Sequence, residues 1–308
     1  MVNSTAYLSE NSHANGSKCL GEATHESLGY RGTFLWDPRM QAWLFTATYI
    51  TILPTILSSG YLADRYGPKY VCLFALLLFV FSTITAPELA KWHYGALMAD
   101  RSLIGMAEGF TYPAIASLAS RWFSPLERTL VAAIYTSGSQ FGNIFASFVS
   151  SGLCRVSFLS GWPLLYYLYA VIGIITAIIW ITFVSNTPEQ CRFISEKEKK
   201  YLESVAERKD ANKTNLRVPW RQMLTSLVTL SIVFCHFALQ FQAVIFQSFL
   251  PTYFHEVLYL DIGTNGVFIA IIYAAQFIAK NSWALIAGKL KETNVISMTT
   301  SCKILESM

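Results

Sequence analysis

Residues 163–185 run Pro-Leu-Leu-Tyr-Tyr-Leu-Tyr-Ala-Val-Ile-Gly-Ile-Ile-Thr-Ala-Ile-Ile-Trp-Ile-Thr-Phe-Val-Ser without a single charge. A helix rises about 1.5 Å per residue, so roughly 20 apolar residues cross the ~30 Å hydrocarbon layer of a bilayer. Six further segments read the same way, near 41–63, 71–90, 95–119, 129–150, 225–250 and 264–288. Lipid offers backbone amides no partners, so each segment must satisfy its own as a helix. The expected fold is an all-α membrane bundle of seven spans. Pro54 and Pro113 interrupt two of them, which membrane helices tolerate. Only 14% of the 308 residues are charged, against about 25% in soluble domains. That excludes a soluble two-domain enzyme and a nucleic-acid binder, and a net charge of +4 argues for no polyanionic partner.

The six cysteines (Cys19, Cys72, Cys154, Cys191, Cys235 and Cys302) show no C-x-x-C and no Cys/His spacing of a zinc site. No disulfide scaffold, metal or organic cofactor is expected. Any coupling ion would be H⁺ or Na⁺.

Lysine and arginine counts orient the spans. Segments 64–70, 120–128, 186–224 and 289–308 hold sixteen basic residues and those on the other side hold five. The first group is therefore expected in the cytoplasm. The polar segment 1–40 is expected outside or in a lumen, where the sequons at Asn3 and Asn15 can be glycosylated. This divides the chain into the outer segment 1–40, a five-span bundle at 41–185, a cytoplasmic linker at 186–224 and two further spans in 225–308. In the linker, Ser195 with Glu198 has the pattern of a capping box opening a charged helix.

Two clusters carry chemistry. The first cytoplasmic turn reads Gly60-Tyr-Leu-Ala-Asp64-Arg65-Tyr-Gly67-Pro-Lys69. Its two glycines permit close approach of helices and loop, and Asp64, Arg65 and Lys69 can form charge-assisted bonds to a neighbouring helix end. The third span holds Arg101-Ser-Leu-Ile-Gly105-Met-Ala-Glu108-Gly109-Phe-Thr-Tyr112-Pro113. Seven residues at 100° each bring Arg101 and Glu108 within about 20° of one another, so they share a face. A carboxylate at mid-span costs about 2.5–3.5 kcal/mol even on the lenient insertion scale. Glu108 must therefore meet water, a cation or a proton. Arg101 keeps its charge and offers a planar fork to a carboxylate or phosphate. The functional reading has Arg101 receiving an anion and Glu108 coupling it to a proton. The plainer alternative has Arg101 snorkelling to the outer surface and Glu108 bonding within the bundle. Asp100, beside Arg101, is a carboxylate able to neutralise part of the anion site.

Further candidate pocket residues are Tyr112, Gln140, Asn143, His236 and Gln240. For Gln140 and Asn143, in the small-residue run Ser137-Gly138-Ser-Gln140-Phe-Gly142-Asn143, interhelical bonding is the simpler role. For His236 a bonded core histidine is a simpler reading than a proton relay, and Lys280 can snorkel.

Taken together these residues resemble the major facilitator superfamily, in the anion-symporter branch that includes sialin, vesicular glutamate transporters and sodium–phosphate cotransporters. The resemblance rests on Trp36-Asp37-Pro38, the Gly60–Lys69 loop, and above all Arg101-x-x-x-Gly105-x-x-Glu108-Gly109-x-x-x-Pro113. It implies that Gly60, Asp64, Arg65, Gly67 and Lys69 form a gating loop, that Arg101 binds substrate and that Glu108 couples protons. The implied partners are a small organic anion or phosphate and the lipid bilayer. The implied location is the plasma membrane or an intracellular vesicle or lysosomal membrane. Family members have twelve helices in two six-helix halves, so seven spans imply a bundle truncated at both ends. A non-transporting form, associating with full-length homologues, is one rival. A seven-helix receptor is another, although Asp64-Arg65-Tyr66 closes the first span here, whereas such receptors carry that tripeptide after their third.

Overall fold

The computed structural model describes residues 34, 36–123, 128–153, 162–191, 194–197, 220–258, 260 and 262–292. Its helices are α1 (Pro38–Tyr66), α2 (Pro68–Trp92), α3 (Tyr94–Trp122), α4 (Arg128–Leu153), α5 (Trp162–Phe183), α6 (Trp220–Thr225), α7 (Leu227–Glu256) and α8 (Ile262–Glu292). Each of the seven expected spans is one long helix, generally extending past its sequence-predicted limits. α1 and α3 run straight through Pro54 and Pro113. Of the capping-box expectation, Ser195–Lys197 are described and Glu198 lies outside the described residues.

Four of these helices are long and apolar enough to cross a membrane by length and composition, within α1, α2, α5 and α7. α3, α4 and α8 fall short because they carry the polar residues that matter most here. α3 holds Asp100, Arg101 and Glu108; α4 is rich in serine and glycine; α8 holds Asn265, Lys280 and Asn281.

Two contact units divide the chain. The first comprises residues 1–122 and 152–192, hence α1, α2, α3 and α5. Within it α3 packs on both α1 and α2, and α2 packs on α5. The joints are tight. Gly67 alone separates α1 from α2, with φ +93°, a left-handed conformation suited to glycine. Pro68 follows at the start of α2, where its missing N–H costs nothing. Between α2 and α3 stands only His93, in extended conformation.

The unit's core is built of small side chains, because lipid supplies no hydrophobic drive between helices and close backbone approach must serve instead. Ala63, Ala75, Ala107 and Ala114 pack around Phe110 near one end. Ala86, Ala90 and Leu97 pack with Trp36 and Trp162 near the other. Large side chains such as Leu57, 83% exposed, point outward, the arrangement a helix surrounded by acyl chains requires.

The second unit comprises residues 123–151 and 193–308 and contains α4, α6, α7 and α8. α7 packs on α8 and on the short α6. Asn265, near the start of α8, donates to the Pro251 carbonyl of α7 at 2.8 Å. α4 and α8 are joined by Ser137 and Asn281, whose side chains exchange bonds at 3.1 and 3.3 Å.

Candidate functional site

The three faces of α3 are engaged differently. Taking Arg101 as the origin, Glu108 lies about 20° to one side and Tyr112 about 20° to the other. Gly105 and Gly109 lie about 40° and 80° round the helix, and Asp100 about 100° the opposite way.

The glycine face belongs to α1. A Cβ on Gly105 would land on the Thr48 carbonyl and the Thr51 hydroxyl, and one on Gly109 would land on the Thr55 hydroxyl. Thr51 donates to the Ser102 carbonyl at 3.0 Å, and Ser59 to the Phe110 carbonyl at 3.0 Å. A threonine–serine stripe at helical spacing thus seats α1 against α3. Gly105 and Gly109 are read in the sequence as parts of a motif; here they set the distance between two helices.

The Asp100 face belongs to α2. Asp100 is only 2% exposed, and its Oδ1 lies 3.2 Å from the Thr85 hydroxyl. Ser82 donates to its main-chain carbonyl at 3.2 Å. Among the described residues Asp100 makes no ion pair with Arg101, although the guanidinium still acts on it electrostatically. Consecutive helical residues diverge by 100°, and Asp100 turns into the α2 seam while Arg101 turns elsewhere.

Between these two faces lies the polar stripe. Half-buried Arg101 donates from Nη2 to the Tyr166 hydroxyl of α5 at 2.7 Å, with its guanidinium carbon 5.9 Å from that ring's centroid. Tyr166 in turn meets Trp162 edge-on, at 6.0 Å between ring centroids. Among the described residues no carboxylate pairs with Arg101, the two ion pairs being Lys91–Glu88 and Arg121–Asp64. Glu108, one stripe position along and also half-buried, makes no ion pair with them either. Tyr49 of α1 stands within electrostatic reach of Glu108, and Tyr112 is 45% exposed. The arrangement is one fixed cation held by an aromatic hydroxyl, with a carboxyl side chain further along the same stripe, all within the first unit. Tyr49 and Tyr166 were not singled out from the sequence, where each is one tyrosine among many in an apolar run.

The loop after α1 forms a second cluster at the other end of α5. Asn186 accepts the Lys69 backbone N–H at 2.9 Å, Trp180 Nε1 donates to the Lys69 carbonyl at 3.0 Å, and Lys69 Nζ reaches the Ile181 carbonyl at 3.0 Å. Lysine at a helix C-terminus suits the partial negative charge there. Asp64 lies 3.6 Å from Arg121 of α3 and is largely exposed, a geometry worth little in stability. Arg65 donates to the Tyr61 hydroxyl at 2.9 Å. A Cβ on Gly67 would strike the Asn186 side chain at 2.7 Å, whereas around Gly60 there is open space. The close approach expected at both glycines therefore occurs at Gly67 alone.

Gln140 and Asn143 of α4, and His236 and Gln240 of α7, belong to the second unit. Gln140 meets Ser139 on its own helix, and Ser137 rather than Gln140 or Asn143 makes the bond to α8. Among the described residues nothing lies within 4 Å of a Cβ on Gly138 or Gly142, so neither seats a described helix. His236 and Gln240 are exposed, so the reading of His236 as a bonded core residue does not hold. Lys280 is half-buried on α8. Cys72, Cys191 and Cys235 are free thiols. Asn3, Asn15, Cys19, Cys154 and Cys302 lie outside the described residues.

The Major Facilitator Superfamily family model matches residues 5–305. The chain belongs to the Major Facilitator Superfamily. Its long helices are thus those of a partial major-facilitator bundle in a multi-pass membrane protein. Among curated relatives, sheep sialin is 34% identical over 240 residues, covering 78% of this chain and 48% of that protein. Zebrafish vesicular glutamate transporter 3 is 30% identical over 275 residues, covering 88% and 46%. Mouse sodium-dependent phosphate transport protein 3 is 27% identical over 319 residues, covering 100% and 65%. The chain spans about half the length of the first two of these relatives. They place the chain in the anion-transporter branch of the superfamily, among transporters and not enzymes.

Proposed function

We propose that this chain serves the secondary active transport of a small organic anion or phosphate, driven by H⁺ or Na⁺, with Arg101 holding the anion and Glu108 binding the coupled proton. One observation carries the reading: among the described residues Arg101 is held by a neutral tyrosine and not by a carboxylate. A guanidinium with a neutral partner keeps its full charge and its remaining N–H donors for a ligand. A half-buried site strengthens that attraction, because less water screens it.

Glu108 lies about 10 Å along the same stripe. That is near enough to sense an anion on Arg101 and too far to quench it by direct pairing. Alternating access, in which two halves rock about a midplane site, would expose both groups to each side in turn. The lysine and arginine distribution supports a cytoplasmic C-terminus and an outer or luminal N-terminus carrying Asn3 and Asn15. The loop from Gly60 to Lys69, pinned to the end of α5, would then sit at the cytoplasmic face as a gate.

The test is uptake of radiolabelled phosphate, glutamate and sialic acid by proteoliposomes containing the full chain. Separate arms impose an inward proton gradient, an inward sodium gradient or neither. Gradient-driven accumulation of one of these anions supports the reading. Absence of accumulation for all three, with the chain correctly inserted, removes it.

A further inference from the structure

Asp100 is a buried acid that the transport reading leaves unused. Its Oδ2 has no hydrogen-bond partner. Two hydroxyls of α2 stand nearest to it. Ser82 has one proton, and gives it to the main-chain carbonyl of Asp100 at 3.2 Å. Thr85 also has one, and its shortest contact is the Phe81 carbonyl of its own helix at 3.0 Å, against 3.2 Å to Asp100 Oδ1. A hydroxyl carries a single hydrogen but two lone pairs. Thr85 thus shares its one proton among the Phe81 carbonyl, Asp100 Oδ1 and the Ser82 carbonyl at 3.3 Å, and supplies at most one weak bond to a carboxyl whose other oxygen has none.

Among the described residues no cation touches the carboxyl. Among the described residues, the charged group acting on it is Arg101, which follows it in the chain. From α2 it is faced by hydroxyls, while Glu88 and Lys91, further along that helix, pair with each other at 3.0 Å on the exposed surface. α1 directs Thr48, Thr51 and Thr55 at another face of α3. A bare carboxylate so enclosed would be a charge without solvation.

We propose that Asp100 binds a proton between α2 and α3, and that this proton governs how strongly Arg101 attracts an anion. With the proton in place the site beside Arg101 is neutral and the guanidinium field acts undiminished on the ligand. When the proton leaves, a negative charge appears one residue from Arg101 and opposes the anion. Proton and anion therefore favour each other's binding, which is the coupling a symporter needs, and linkage requires the effect to be reciprocal. The coupling rests on the reading of Arg101 as anion holder; the proton on Asp100 does not.

Infrared difference spectroscopy of the full chain in lipid nanodiscs reads the proton directly. At neutral pH the carbonyl-stretch band of an un-ionised carboxylic acid is expected. It should vanish in Asp100→Asn, persist in Glu108→Gln and shift in Thr85→Val, which leaves the carboxyl in place. Absence of an Asp100-dependent band overturns the proposal, and a sodium requirement for anion binding in that case assigns the site to an alkali cation. The coupling is read from equilibrium binding of radiolabelled glutamate and sialic acid, whose charges do not change between weakly acidic and neutral pH. Affinity should fall as pH rises in the unmodified chain, within the roughly 5- to 150-fold range of such couplings. Asp100→Asn should flatten that fall, leaving only the part that Glu108 contributes. Unaltered pH dependence in Asp100→Asn overturns the coupling. Unaltered binding in Arg101→Ala removes the anion role of Arg101 and the coupling with it, while the infrared band still decides the proton.

Discussion

Gly109 of α3 lies so close to Thr55 of α1 that a methyl group on the glycine would land on the threonine hydroxyl. Thr55 cannot yield easily, since its hydroxyl is bonded to the Thr51 carbonyl at 2.8 Å and the Ile52 carbonyl at 2.9 Å. The stripe bearing Arg101 and Glu108 is therefore held in place by the seam beside it. Gly109→Ala is expected to destabilise the helix pair by about 1–3 kcal/mol, the usual cost of overpacking. Thermal unfolding of the detergent-solubilised variant against the unmodified chain checks this. An unchanged Tm would show that the seam relaxes.

Gly67 combines two constraints, a φ of +93° and contact with Asn186. Gly67→Ala should cost about 1–3 kcal/mol through backbone strain alone. Asn186→Ala opens space at the glycine but orphans the Lys69 N–H. The double variant should therefore be more stable than the sum of the single losses implies. A double-mutant cycle in thermal stability measures the difference.

Ser137 and Asn281 exchange hydrogen bonds between α4 and α8. Interhelical polar bonds in membrane proteins contribute about 0.6 kcal/mol on average. Ser137→Ala combined with Asn281→Ala should give a coupling energy of about that size. A value near zero would mean that each side chain finds another partner when the bond is lost.

Glu108→Gln keeps the shape of the side chain and removes its ability to ionise. Accumulation driven by a proton gradient should fall at least about tenfold, the scale of losing a charged hydrogen-bonding group. Exchange of labelled for unlabelled anion, which needs no net proton movement, should persist. Loss of both activities would place Glu108 in anion binding or folding instead of coupling.

The helices were legible because apolar length is a strong signal and Pro54 and Pro113 do not break it in lipid. The shared face of Arg101 and Glu108 was legible from spacing alone. What periodicity could not show is which neighbour each face meets. Asp100 reads as a charge beside Arg101, and only the structure shows that the helix turns its side chain towards Ser82 and Thr85. Gly60 and Gly67 looked equivalent within one motif, and only Gly67 has a side chain, that of Asn186, pressed against it. Tyr166 lies 65 residues from Arg101, and nothing in its local sequence separates it from the tyrosines beside it. His236 reads as a core residue by its apolar neighbours, yet it is exposed.

Anion uptake by proteoliposomes carrying Arg101→Ala and Arg101→Lys decides whether the guanidinium holds the substrate. With a free fork bound to a carboxylate or phosphate, Arg101→Ala should lower kcat/KM about ten- to a hundredfold, and Arg101→Lys should fall between, keeping the charge but losing the bidentate geometry. Uptake by Arg101→Ala equal to that of the unmodified chain would contradict the assignment.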